Sequence, residues 1–111
     1  GYAYTIGTGG SSVMALLRDH LGPFVLGKDP AKIEAIWTGM LFHSHATTVG
    51  AITALAMAAI DTALWDLKCR KAGLPLHVAA GGAKDAIPVY TAARIARGWM
   101  RCAPRSAANS R

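Results

Sequence analysis

The chain has 111 residues, which is enough for one domain with a buried core. Its apolar share of 52% and its charged share of 16% exclude an intrinsically disordered chain. The net charge of +6 is uneven, because residues 1–91 carry seven basic and six acidic side chains, whereas residues 92–111 carry five arginines and no acid. The nearly neutral body argues against a nucleic-acid-binding domain.

The cysteines and the longest apolar run indicate a cytoplasmic protein without a membrane segment. Cys69 and Cys102 form no C-x-x-C pair, which fits a reducing compartment better than a disulfide scaffold. The apolar run Val49–Ile60 has 12 residues. A membrane-spanning helix needs roughly 20.

The chain begins with a predicted strand and a glycine-rich loop. Tyr2–Ile6 alternates aromatic, small and branched residues, which favours a strand. Gly7–Gly10 then forms a flexible loop. A phosphate site at this loop is a weaker interpretation, because the dinucleotide fingerprint needs a glycine where Ser12 stands.

Two shorter helices are predicted next. Ser11 or Ser12 can cap a helix that runs to about Leu21 and is stopped by Gly22-Pro23. Asp29-Pro30 predicts the start of the second helix, with an acidic N-cap before a proline at the first helical position. Its apolar side chains follow a helical period. They are Ile33, Ile36, Trp37, Met40 and Leu41.

A long helix is predicted from about Thr48 to Ala72, closed by Gly73. Its first half is apolar on nearly every face, so other elements must surround it. Asp66 and Arg70 are spaced for a surface ion pair.

The last predicted element is a strand at Ile87–Tyr90, after which the pattern of elements stops. Ala, Arg, Ser, Gly and Pro make up 15 of the 20 residues in 92–111. This tail is predicted to be disordered, or to be read outside the frame of the preceding residues. The domains are therefore expected at 1–86, 87–91 and 92–111.

Three polar groups have a functional and a plain interpretation. His43 and His45 could face one way as two metal ligands, but a zinc site needs a third and usually a fourth, so surface histidines are favoured. Asp61 and Asp66 point away from each other on a helix and are given structural roles. A basic face of the tail could bind nucleic acid or an anionic membrane if it were helical. It comprises Arg94, Arg97, Arg101 and Arg105.

The segment AMAAIDTALWDLKCRKAGLPLHVAAG, residues 56–81, resembles the signature helix of the mandelate racemase and muconate lactonizing enzyme family of the enolase superfamily. The matching positions are Ala56, Ala58, Ala59, Ile60-Asp61, Ala63-Leu64, Asp66-Leu67, Arg70, Pro75-Leu76 and Gly81. Cys69, Ala79 and Ala80 depart from the pattern at core positions. The resemblance covers about residues 1–91.

The resemblance implies an α+β, mostly helical fold: an incomplete capping domain with one strand of its sheet and three helices, followed by the first strand of a (β/α) barrel. It implies an enzyme that abstracts the proton α to a carboxylate and holds the intermediate on Mg²⁺. In the whole enzyme a capping loop closes over the carboxylate or hydroxy-acid substrate. The corresponding residues here are Tyr4, Thr5, Ile6 and Thr8, with Thr91 opposite them at the end of the barrel strand.

The residues that do the family's chemistry have no counterpart in this chain. No Lys-x-Lys pair occurs, and no Asp or Glu follows Asp85, so neither the base nor the metal ligands are present. The chain is therefore expected to be a fragment that is inactive alone, binds no metal itself, and self-associates through an exposed strand edge and its apolar helix. Nucleic acid and membrane are not expected partners. The alternatives are a small helical interaction module and a binder that uses the basic tail.

Overall fold

The regular structure in the described part of the chain is helical. A computed structural model describes residues 1–82 and residues 84, 86 and 88, and residues 1–81 form one unit. The α-helices are α1 (Gly10–Leu16), α2 (Gly22–Val25), α3 (Ile33–His43), α4 (Ala51–Ala72) and α5 (Leu76–Ala79). A π-helical turn, Leu17–Leu21, joins α1 to α2, and a 3-10 turn, His45–Thr47, follows α3. The expectation of a mostly helical domain is confirmed.

The prediction that Gly22-Pro23 stops the first helix is wrong. The N–H of Gly22 bonds to the carbonyl of Leu17, five residues back, so the chain widens into the π turn and continues. A Cβ at position 22 would lie 2.7 Å from that carbonyl oxygen, so glycine is needed there. Pro23 is then the second residue of α2, directly after the π turn.

Asp29-Pro30 forms a turn before α3 and does not start the helix, which is a second correction. The Asp29 carboxylate accepts a hydrogen bond from the Ala31 N–H at 3.0 Å. The Asp29 carbonyl accepts one from the Lys32 N–H at 3.1 Å. These bonds satisfy the backbone locally, and α3 begins at Ile33.

The end of α4 agrees with the prediction. Gly73 has φ 65°, and the N–H of Leu74 bonds back to the Cys69 carbonyl at 3.0 Å. This left-handed glycine cap satisfies the last carbonyls of the helix. The helix starts later than predicted, at Ala51, because Thr48 has φ 58° and cannot be helical.

The core lies where α4 packs against α1, the π turn and α3. Leu21, Met40 and Met57 are its fully buried large side chains. Trp37 and Leu41, which the apolar pattern placed on the buried stripe of α3, are 38% and 40% exposed and lie at its edge. The buried core comprises Val13, Leu21, Ile33, Ile36, Met40, Ala56, Met57 and Leu64.

The predicted strand Tyr2–Ile6 is an irregular segment in the structure. Tyr2, Tyr4 and Ile6 are exposed while Ala3 and Thr5 are half-buried, so the side chains alternate as they would in a strand. Between described residues, no backbone hydrogen bond involves residues 2–8. A strand is held by pairing, and no other strand exists in the described ranges.

The remaining predictions of structure concern residues outside the described ranges. The strand at 87–91 has only Pro88 described, and the whole of the tail 92–111 is not described. The domain bounds at 86 and 91 therefore stay predictions.

Candidate functional site

The first residues of the chain lie across α4 and line an open groove of about 810 Å³, here called the N-terminal groove. Tyr4, Thr5, Ile6 and Thr8, predicted from sequence as substrate-facing residues, all line it. Thr91 is outside the described residues. The structure thus brings the four together, and their contact with a substrate stays a prediction.

The opposite wall of the groove comes from α4 and was not predicted. Ala51, Leu55, Ala58 and Thr62 lie on this wall together with Ile52. Their spacing of four, three and four residues puts the first four on one face of the helix. That spacing was the signal available in the sequence, but it was hidden because this half of α4 is apolar on nearly every face.

Two glycines shape the loop between the segment and α1. Gly7 and Gly9 have φ 91° and 87°, a left-handed conformation that favours glycine. A Cβ at Gly9 would lie 3.0 Å from the Cδ1 atom of Ile52, so glycine also allows the loop to approach α4 closely. Residues 7–9 form a loop as expected, whereas Gly10 is already the first residue of α1, and the flexibility of the loop stays a prediction.

The described lining residues of the groove carry no charged side chain. Its polar groups are the hydroxyls of two tyrosines and of Thr5, Thr8 and Thr62. The Thr62 hydroxyl donates to the carbonyl of Ala58 at 2.7 Å, inside its own helix. Such a wall can pack against a ligand and hydrogen-bond its hydroxyl groups, and it contains no carboxylate, histidine or lysine side chain.

Residues 1–81 match the family model described as "Mandelate racemase / muconate lactonizing enzyme, N-terminal domain". The chain belongs to this family. The match covers the whole helical unit, from the first residue of the N-terminal segment to the glycine that follows α5. The resemblance noted at residues 56–81 is thereby confirmed, and it places the chain in the enolase superfamily.

Similar proteins within this family are sugar-acid enzymes. A D-mannonate dehydratase of Novosphingobium aromaticivorans is 42% identical over 80 residues, which are 71% of this chain and 20% of the relative. A 3,6-anhydro-alpha-L-galactonate cycloisomerase of Streptomyces coelicolor is 39% identical over 90 residues, 81% of this chain and 25% of the relative. A D-galactonate dehydratase family member of Streptomyces bingchenggensis is 39% identical over 89 residues. The chain thus spans a fifth to a quarter of the length of the first two relatives.

The family is of the Mg²⁺-dependent enolase-superfamily type, but the described residues do not supply a site for the ion. No group of three or more His, Cys, Asp or Glu side chains in the described ranges could hold a metal. The two histidines considered as metal ligands each contact a nearby residue. The rings of His43 and Phe24 stack with their centroids 4.7 Å apart. The Nδ1 atom of His45 lies 2.6 Å from the Phe42 carbonyl oxygen. No catalytic step is therefore assigned to a metal held by these residues.

The ion pairs of the described residues lie outside the groove. Arg70 donates to Asp66 at 2.7 Å, as the sequence predicted. Arg18 donates twice to the carboxylate of Asp19, at 2.6 and 2.9 Å. The hydrogen bonds from Arg18 lower the pKa of Asp19, and the pKa of Arg18 is raised in turn. Both pairs are solvent-exposed, so each contributes little to stability. None of their four side chains lines the groove.

None of the helices in the described ranges combines the length and the apolar character needed to cross a membrane.

Proposed function

We propose that the chain is the capping part of a Mg²⁺-dependent cytoplasmic enzyme that abstracts the proton α to the carboxylate of a sugar acid or another hydroxy-acid. The reaction would be a dehydration, a cycloisomerisation or a racemisation. Family membership supports this proposal, as do the activities after which similar proteins are named, two of which are a dehydratase and a cycloisomerase. The structural observation that carries it is the presence of Tyr4, Thr5, Ile6 and Thr8 on one wall of the N-terminal groove.

The chain would contribute binding and shielding to this reaction. Ile6 is 91% exposed and Tyr4 is 70% exposed, so both can cover a bound substrate without first leaving a core. Covering excludes water, which strengthens the electrostatic interactions at the reacting atoms. The hydroxyls of Thr5 and Thr8 suit the hydroxyl groups of a sugar acid. Thr91 would approach the same substrate from the opposite side.

The glycine loop supports a capping role that includes movement. Gly7 and Gly9 flank Thr8, and a segment between two glycines can change its backbone angles at low cost. No backbone hydrogen bond between described residues holds residues 2–8 in place. The segment can therefore close when substrate binds and open for product release.

The base and the metal ligands would come from another part of the enzyme. The groove wall is uncharged, and no acidic residue follows Asp85 in the sequence. The chain alone is therefore expected to be inactive. In the whole enzyme its partners would be the barrel and the carboxylate substrate. Nucleic acid and membranes are not proposed as partners.

The test is a chimera in which residues 1–81 replace the matching segment of the Novosphingobium D-mannonate dehydratase. Ile6→Asp in this chimera should lower kcat/KM for D-mannonate by about tenfold or more, since it places a charge beside an anionic substrate. Leu26→Asp is the matched control, because Leu26 is 80% exposed and lies outside the groove lining. Equal activity of the two variants would refute a substrate-facing role for Ile6.

We propose in addition that the isolated chain self-associates. Its N-terminal segment exposes Tyr2, Tyr4 and Ile6, and the apolar face of α4 forms the groove beside it. Exposed apolar surface of this kind marks an interaction site. Sedimentation equilibrium of the full chain should show a mass that rises with concentration.

A further inference from the structure

The connection between α3 and α4 contains a strained residue. Thr48 has φ 58° and ψ 158°, and it is the one non-glycine residue with a positive φ among those that the structure describes. Glycine is almost the only residue that adopts this combination, and a β-branched side chain makes it less favourable still. We propose that residues 45–50 are a strained connection, held in this state by the hydroxyl of Thr53, which keeps the first turn of α4 against the loop at residues 7–9.

Hydrogen bonds on both sides of Thr48 hold its backbone in the strained conformation. The Thr48 N–H donates to the His45 carbonyl at 3.2 Å, and the Thr48 carbonyl accepts from the Thr53 hydroxyl at 3.3 Å. The Thr48 hydroxyl donates to the Thr47 carbonyl at 2.7 Å. Because the peptide groups before and after Thr48 are both held, its φ and ψ cannot relax independently. A strained residue persists only where its surroundings fix it in this way.

Two buried polar residues anchor the connection. Residues 45–50 are exposed, whereas Ser44 and Thr53 are buried. The Ser44 carbonyl accepts from the N–H and from the hydroxyl of Thr47, both at 3.1 Å. At the other end, the Thr53 hydroxyl also lies 3.0 Å from the Gly50 carbonyl oxygen. Since a hydroxyl has one proton, Thr53 shares it between the carbonyls of Thr48 and Gly50. This hydroxyl therefore ties the end of the connection to the buried face of α4.

The first turn of α4 is in turn close to the loop at residues 7–9. A Cβ at Gly9 would lie 3.0 Å from the Cδ1 atom of Ile52, which is partly buried against the core. The turn that carries Ile52 is closed by the bond from the Ala54 N–H to the Gly50 carbonyl, at 2.9 Å. Relaxation of Thr48 to a negative φ would displace Gly50, open this turn and release the loop. The link to catalysis rests on the function proposed above, in which this loop closes over the substrate.

Amide exchange of the full chain, followed by NMR, tests the strain. Thr48→Gly removes it, because glycine adopts positive φ freely. Exchange of the Ala54 amide should therefore slow by about threefold or more. Ala46→Gly is the matched control, since Ala46 is exposed in the same connection and has no positive φ. This control should leave the exchange unchanged or speed it. Exchange that Thr48→Gly does not slow, or that both variants slow equally, would overturn the strain.

Two variants of Thr53 test the coupling to the loop. Thr53→Val keeps the shape of the side chain without its hydroxyl, whereas Thr53→Ser keeps the hydroxyl. The nuclear Overhauser effect between the δ1 methyl of Ile52 and the α protons of Gly9 reports the contact. Wild type and Thr53→Ser should show this effect, and Thr53→Val should lose most of it. An effect that is missing from wild type, or as strong in Thr53→Val as in wild type, would overturn the coupling. Both experiments use the chain alone, so neither outcome affects the capping function, which is measured in the chimera.

Discussion

Leu21 is a fully buried large side chain of the first helical stretch and belongs to the same core cluster as Ala56, Met57 and Leu64 of α4. It ends the π turn, and its side chain has no exposed surface. Leu21→Ala removes three carbon atoms. At about 0.8 kcal/mol for each buried methylene-sized group, the transfer loss is about 2.4 kcal/mol. The cavity that remains adds to this, and buried Leu→Ala changes cost about 2.7–5.0 kcal/mol. We expect a loss of about 3 kcal/mol.

Urea denaturation followed by tryptophan fluorescence measures this loss. With a slope of about 1–1.5 kcal/mol per molar urea, as expected for a small domain, the midpoint should fall by about 2–3 M. Leu26→Ala is the matched control, since Leu26 is 80% exposed. Its effect should stay within about 0.5 kcal/mol. A loss below about 1 kcal/mol for Leu21→Ala, or an equal loss for both variants, would refute the described core.

Three further changes probe single contacts. Gly22→Ala should lower the melting temperature, because its Cβ would lie 2.7 Å from the Leu17 carbonyl oxygen and overpacking costs about 1–3 kcal/mol. A higher melting temperature would contradict the π turn. The Thr53 hydroxyl lies 3.0 Å from the Gly50 carbonyl oxygen and 3.3 Å from that of Thr48, just before α4. Thr53→Val removes these bonds, so it should lower the free energy of unfolding by about 1 kcal/mol and speed amide exchange at the start of α4. Unchanged exchange would count against these bonds. Arg18 lowers the pKa of Asp19 below its unfolded value of about 3.9, so this carboxylate stabilises the fold above that pH and the effect is lost as pH falls through the folded pKa. Asp19→Asn should therefore be slightly less stable than wild type above about pH 4, by a small amount because the pair is exposed, and the difference should disappear as the pH falls through the folded pKa of Asp19. A difference that grows on acidification would contradict this.

The end of α4 could be predicted from the sequence, whereas the conformation at Gly22-Pro23 and at Asp29-Pro30 could not. Gly73 supplies the left-handed cap from its own conformational freedom, so sequence was sufficient. Gly22-Pro23 is a stop signal in isolation, but in the structure the π turn precedes it and Pro23 is the second residue of α2. Asp29-Pro30 has the chemistry of an N-cap, yet the same carboxylate can close a turn instead.

One wall of the candidate site could be predicted, and the other could not. The family resemblance gave Tyr4, Thr5, Ile6 and Thr8, because they stand at fixed positions in the sequence. The α4 wall requires knowing which face of an apolar helix stays uncovered, and that is a property of the packed unit. The strand at Tyr2–Ile6 failed for a related reason: the alternation is present, but a ladder requires a second strand, which composition and periodicity do not provide.

The activity of the chimera, compared with that of the full chain alone, tests the capping role most directly. Both would be assayed for Mg²⁺-dependent dehydration of D-mannonate, with circular dichroism and sedimentation showing that each is folded. We predict that the chimera dehydrates the sugar acid and that the chain alone does not. A folded chimera without activity, or dehydration by the chain alone, would contradict the account.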